Sequence, residues 1–166
     1  VEVYVFNYAP KPSPDFSENL NRFGKEEVTE VDEKTDYLTI DKNGVVIDSI
    51  FGVGLNRRLP ELVEKWIAFL NSTEALVFSI DLPSGTYLDR LPSKDEQVVQ
   101  ADRTFTFQVP KLPQLVVPIA SKAGEIEILD IGLSKSAISQ TNATDTYLTK
   151  KHIRDQIIKR DRFSHK

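Results

Sequence analysis

The chain has 166 residues, 40% of them hydrophobic, which is enough for one domain with a sizeable core. A formal net charge of -4 and the lack of cysteine exclude a basic nucleic-acid footprint, a disulfide framework and any thiolate site. The histidines, His152 and His165, lie in the tail, so carboxylates, hydroxyls and backbone groups are left to do chemistry in the body of the chain.

The chain opens in the alternating run Val1 to Phe6, a strand. No methionine is present and a natural chain seldom begins in mid-strand, so the original N-terminus is expected to be missing. A proline-rich turn follows to Pro14, and Ser13 caps a helix over about residues 14 to 24, with Phe16, Leu20 and Phe23 at helical spacing and Gly24 as its stop. The acidic stretch Glu26 to Asp36 reads as a solvated edge in which Val28 and Val31 can pair.

Val45 to Phe51 is nearly continuous in apolar, β-branched residues, the pattern of a strand buried on both faces. Pro60 opens a helix to about Asn71 with Leu62, Val63, Trp66, Ile67 and Leu70 as its buried stripe. Ala75 to Ile80 is the next strand. Two strands joined by such a helix imply a right-handed crossover and a parallel sheet. A polar loop, Thr86 to Glu96, leads to strands at Ala101 to Val109 and Glu125 to Ile131. From Ser134 the chain becomes a polar linker with a short helix near Lys150 to Ile158 and a basic end. No stretch approaches the roughly 20 apolar residues of a membrane span and no signal-peptide pattern opens the chain, so a cytoplasmic location away from membranes is expected.

In an open parallel sheet, ligands gather beyond the carboxyl ends of the strands. Asp48 and Asp81 both sit at such ends. Asp48 reads either as a loop cap or, among Val46, Ile47 and Ile50, as a carboxylate needing a cation or several donors. The stretch Gly52, Val53, Gly54, Leu55, Asn56, Arg57 and Arg58 combines close backbone approach with two charges for an anion, or is a tight turn with solvated arginines. It lacks the third glycine of the dinucleotide fingerprint and the Lys-Ser/Thr of a P-loop. In Asp81-Leu82-Pro83-Ser84-Gly85 the proline turn sets Asp81 against the Ser84 hydroxyl as a seat for a hard cation or a substrate hydroxyl; the bland reading is a chain reversal. Phe105, Phe107 and Lys111 can add a stacking surface and a charge.

Four ordered motifs, Val46 to Leu55, Ser79 to Gly85, Ala101 to Phe107 with Lys111, and Ile128 to Gly132, resemble the NAD(P)H-hydrate epimerase family, also called the YjeF N-terminal domain. The resemblance implies an α/β, Rossmann-like three-layer fold with a mainly parallel central sheet, in residues 1–133. It also implies interconversion of the R and S forms of hydrated NADH or NADPH with a bound potassium ion. Carried over, Asp48 and Ser84 correspond to potassium ligands, Gly52 to Arg58 to substrate binding, and Asp81 to a substrate-contacting carboxylate and the candidate acid/base. The arginines can serve a 2′-phosphate or the pyrophosphate.

The family's first strand and its Asn-Asn-Gly-Gly-Asp loop are expected to precede Val1 and are not in the chain, so the fragment alone is expected to carry part of a site. Tyr147 to Thr149 and Arg160 to Lys166 are similar to the junction of bifunctional members. Residues 134–166 are accordingly expected to lead towards an absent dehydratase domain that uses ADP or ATP. Members tend to be oligomeric, which implies a homo-oligomer. The competing expectation is a non-catalytic binding scaffold on the same fold; retention of both Asp48 and Ser84 favours the enzyme. A kinase or transferase is disfavoured by the missing P-loop lysine motif.

Overall fold

A computed structural model describes residues 1–7, 12–23, 28–143 and 145–157. The chain divides into two compact units, Val1–Ile131 and Gly132–Lys166. Within the first, the described residues form six strands in two parallel sheets with helices between them, the three-layer α/β, Rossmann-like class expected.

Strand β1 (Val3–Phe6) is followed by helix α1 (Pro14–Phe23) and by β2 (Val28–Val31), which pairs in parallel with β1, Val3 opposite Val28 and Phe6 opposite Val31. Ser13 caps α1 as expected: its Oγ accepts the Phe16 N–H at 3.1 Å, satisfying one of the donors a helix start leaves open. The apolar stripe of α1 is not buried, and Phe16 and Phe23 stay exposed. Gly24, the expected stop, lies outside the described residues.

The second sheet has the order β3 (Val45–Asp48), β4 (Leu76–Ile80), β5 (Arg103–Phe107) and β6 (Glu125–Leu129), every neighbouring pair parallel. Helix α2 (Glu61–Leu70) makes the first crossover, with the Pro60 carbonyl accepting the Glu64 N–H at its start. Val63, Trp66, Ile67 and Leu70 of the predicted stripe are buried, while Leu62 is half-buried. Each such side chain, taken from water, contributes about 1.5–3 kcal/mol. Val63 and Ile67 share a core with Leu55, Leu59, Val77, Tyr87 and Val99. Trp66 turns the other way. Its ring meets Tyr4, Phe6, Tyr37 and Phe69 at centroid distances of 5.9, 5.6, 5.1 and 6.0 Å, so α2 joins the two sheets.

Strand β3 corrects the expectation of burial on both faces. Val45 and Ile47 are 55% and 65% exposed. The two are alternate residues on one face, whereas Asp48 on the other face is buried, so only one face of β3 is covered; beside it lies a cavity of about 750 Å³ whose lining also includes Val3 and Val5 of β1. No helix bridges β4 and β5; the segment between them is a folded loop that buries Tyr87, Val98 and Val99. After β5 come a short helix, α3 (Leu112–Leu115), and a 3₁₀ turn, Ile119–Ser121, neither of which the sequence pattern announced.

The second unit carries α4 (Lys135–Gln140), capped by Ser134 and also unanticipated, and α5 (Lys150–Gln156), capped by Thr149 and close to the expected short helix. No helix among the described residues is long and apolar enough to cross a membrane.

Candidate active site

The parallel register decides which side chains meet. Asp48, the last residue of β3, stands opposite Ser79 of β4. Its carboxylate is 2% exposed and fully engaged: Oδ2 accepts the Ser79 hydroxyl at 2.8 Å and the Ser84 N–H at 2.9 Å. Oδ1 accepts the Ser84 hydroxyl at 2.6 Å and the Ile50 N–H at 3.4 Å. Burial pushes the Asp48 carboxyl above the usual carboxylate range, and the bonds from Ser84, Ser79 and Ile50 oppose that rise. Ser84 Oγ in turn accepts the Phe51 N–H at 2.9 Å and lies 3.3 Å from the Phe51 carbonyl oxygen. One buried serine thereby ties the end of β3 to the turn after β4.

This corrects the seating of Asp81 against Ser84. The Ser84 hydroxyl belongs to Asp48, and Asp81 turns to other partners. Its backbone sits at φ 69°, a left-handed conformation that costs a non-glycine residue about 1–3 kcal/mol unless its surroundings impose it. Oδ1 accepts Lys111 Nζ at 2.5 Å, and Oδ2 accepts the Val53 N–H at 3.2 Å. The backbone carbonyl accepts Gln114 Nε2 at 2.9 Å, and the backbone N–H donates to the Phe105 carbonyl at 2.8 Å. Glycine is required at 85 for a separate reason: φ there is 95°, and a side chain would run into the Gln97 carbonyl.

Three of the four motifs therefore meet directly at Asp81: the Gly52 to Gly54 loop through the Val53 N–H, and the third through the Phe105 carbonyl and Lys111. The fourth is further off: the end of β6 is held through Gln108, whose N–H donates to the Leu129 carbonyl and whose Oε1 accepts the Ile131 N–H. Phe105 packs edge-on against Phe78 at 5.8 Å, and Lys111 Nζ lies 6.0 Å from the Phe107 ring.

The two arginines are not equivalent. Arg58 is committed, its guanidinium 3.1 Å from Glu64 Oε1 and 2.9 Å from Asp95 Oδ2, and these carboxylates hold its pKa above the ordinary value. Arg57 is exposed and makes no ion pair among the described residues. Asn56 is exposed and Leu55 belongs to the core. Ser79 and Thr106, inside quoted motifs but given no role from sequence, and Gln114, outside them, join the site because hydroxyls and amides mark nothing until register places them.

Hydrogen-bonded carboxylates at the ends of adjacent parallel strands, one of them against a glycine loop, form the arrangement in which Rossmann-like sheets hold ligands. The family model described as "YjeF-related protein N-terminus" matches residues 1–113, and the chain belongs to that family. It is 36% identical over 101 residues to the bifunctional NAD(P)H-hydrate repair enzyme Nnr of Thermofilum pendens, covering 58% of this chain and 18% of that protein. The Nnr enzyme of Moorella thermoacetica is 32% identical over 122 residues, 74% of this chain and 23% of the relative. The NAD(P)H-hydrate epimerase of Oenococcus oeni is 28% identical over 136 residues, 80% of this chain and 61% of the relative. The chain thus spans under a quarter of the two bifunctional relatives and about three fifths of the epimerase.

Proposed function

We propose that the chain is the epimerase-type part of a nicotinamide-cofactor repair enzyme and interconverts the R and S hydrates of NADH and NADPH. The observation that carries this reading is the placement of Asp81. Its carboxylate is anchored by an ammonium on one oxygen and presents the other to the Gly52–Val53 backbone, the stretch proposed to hold substrate together with Gly54 to Arg58. Epimerisation needs one positioned proton carrier. A proton is delivered to the hydroxyl on the hydrated ring carbon, the C–O bond breaks to release water, and the ring-nitrogen lone pair supplies the electrons. Water then adds to the opposite face and gives the proton back. Asp81 is the residue proposed to carry that proton: it enters the first step as the carboxylic acid, leaves it as the carboxylate that Lys111 and the Val53 N–H hold, and takes the proton back from the adding water.

The proposal includes a potassium ion at Asp48, which would take the place of some of the hydrogen bonds that now fill both carboxylate oxygens. A buried carboxylate raised by desolvation, a buried hydroxyl and a backbone carbonyl within 3.3 Å of it form an all-oxygen donor set, which suits a hard cation. Asp48 and Ser84 would hold it. When bound, potassium supplies the counter-charge that the buried carboxylate lacks. Ser84 keeps the Phe51 end of the glycine loop in place in either case.

In a parent protein this part precedes an ADP- or ATP-dependent dehydratase that returns the S form to NAD(P)H, a reading supported by the names of the bifunctional relatives. A cytoplasmic, homo-oligomeric protein is part of the same proposal.

The test follows exchange between the R and S epimers of hydrated NADH, with potassium present, by the 166-residue chain and by a version carrying the family's first strand and loop ahead of Val1. Exchange by either form that is lost in Asp81→Asn is the expected result. No exchange by either form overturns the proposal in favour of a binding scaffold.

A further inference from the structure

We propose that Lys111 is a positioning residue for Asp81, holding one carboxylate oxygen so that the other keeps a fixed direction towards the Gly52–Val53 backbone; this rests on the epimerase reading for its catalytic consequence. An ammonium has three donors. All three of Lys111 are used: Nζ lies 2.5 Å from Asp81 Oδ1, 3.0 Å from Thr106 Oγ1 and 3.0 Å from the Phe107 carbonyl. Two legs of this tripod stand on the end of β5, and Thr106 is wholly buried. The third reaches across to the residue after β4. The charge is consequently not free to swing towards a ligand, and it acts on chemistry only through Asp81.

The backbone is shaped for this reach. Gln108 takes a left-handed φ of 64°, reversing the chain just after β5 and returning Lys111 towards β4. The same turn supplies a second hold. The Lys111 N–H donates to Gln114 Oε1 at 2.8 Å, while Gln114 Nε2 donates to the Asp81 carbonyl at 2.9 Å. Lys111 thus fixes the Asp81 side chain and Gln114 its backbone, which is the over-determination that a left-handed aspartate needs. The opposite side of the carboxylate is set by the glycine loop, through the Val53 N–H at 3.2 Å. Remove the ammonium, and Oδ1 loses the one partner it has among the described residues, so the carboxylate can rotate about χ2.

Misplacing a reacting group by about 1 Å costs on the order of 10²-fold in rate. The decisive experiment compares Lys111→Met, Lys111→Arg, Asp81→Asn and the Asp81→Asn/Lys111→Met double variant for epimer exchange. The amide resonance of Val53 is recorded for each as a readout independent of activity. Lys111→Met is expected to lower kcat about 10²-fold with little change in KM. It should also move the Val53 amide resonance towards its position in Asp81→Asn. Lys111→Arg restores much of both, and Lys111→Met adds nothing in the Asp81→Asn background, because residues acting as a unit are not additive.

A Val53 resonance unmoved by Lys111→Met, or losses from the two single variants that multiply in the double variant, overturns the proposal. Should Lys111→Met fail to fold, Lys111→Arg and Thr106→Val, which removes one leg of the tripod, carry the same comparison. A wild-type protein that exchanges nothing defeats the epimerase reading, while the Val53 resonance still decides whether Lys111 positions Asp81.

Discussion

Gly52 and Asp81 are in contact by virtue of a missing atom: a Cβ on Gly52 would lie 2.7 Å from Asp81 Oδ2. The carboxylate occupies the space a side chain would take, so the glycine loop and the turn after β4 are cut to fit each other.

Gly52→Ala should therefore push the Asp81 carboxylate away from the Val53 N–H. The expected outcome is a fall of about 10²-fold in kcat for epimer exchange. An accompanying stability loss of about 1–3 kcal/mol is expected from overpacking. Steady-state kinetics and urea unfolding check the two parts separately. Gly54, around which a Cβ would meet nothing within 4 Å, is the control and should tolerate alanine far better.

Arg57 and Arg58 should separate cleanly. If the loop holds an anionic ligand, Arg57→Ala is expected to raise KM for hydrated NADH about tenfold, the value of one charge-assisted bond. Arg58→Ala should leave KM nearly unchanged, since its guanidinium already serves Glu64 and Asp95. Equal effects on KM would contradict the assignment.

Potassium is expected to raise the melting temperature relative to the same concentration of sodium or choline, because a ligand that binds only the folded state stabilises it by mass action. Asp48→Asn and Ser84→Ala should each abolish the increment. A potassium effect that survives both would place the ion elsewhere.

Acid sensitivity of the loop between β4 and β5 should trace to Glu96. Its carboxylate accepts Tyr87 Oη at 2.7 Å, the Arg90 guanidinium at 2.6 and 2.7 Å, and the Ser93 N–H at 2.7 Å. Arg90 foremost holds the Glu96 carboxyl well below its usual range, while burial and the same glutamate push the Tyr87 hydroxyl up to about 12. A lowered carboxyl stabilises the fold above its unfolded value of about 4.3, and that contribution is lost as pH falls from there towards the folded value. Glu96→Gln should cost about 1–2 kcal/mol at pH 7 and progressively less below pH 4, as measured by urea unfolding at each pH.

Much of this was legible in the residues. Helix α2 announced itself by its stripe, β3 and β4 by their apolar runs, β5 by its alternation, and Asp48 and Asp81 by standing at strand ends. What the pattern missed depends on distance in the fold. The run Val45 to Phe51 looked buried because composition records a strand's hydrophobicity and not which of its faces is covered, and the face carrying Val45 and Ile47 is open. Ser84 and Asp81, three residues apart, seemed natural partners; yet the hydroxyl turns to Asp48, 36 positions away. Arg57 and Arg58 read alike until Asp95, 37 residues on from Arg58, claimed one of them.

Trp66 is the single tryptophan of the chain, and it sits where α2 meets Tyr4 and Phe6 of β1. The molecule consequently carries a built-in optical reporter for one junction alone. Its emission should shift when the two-stranded sheet comes away from the helix, while remaining indifferent to events around Asp81, so the order in which the two regions loosen can be followed without attaching a label.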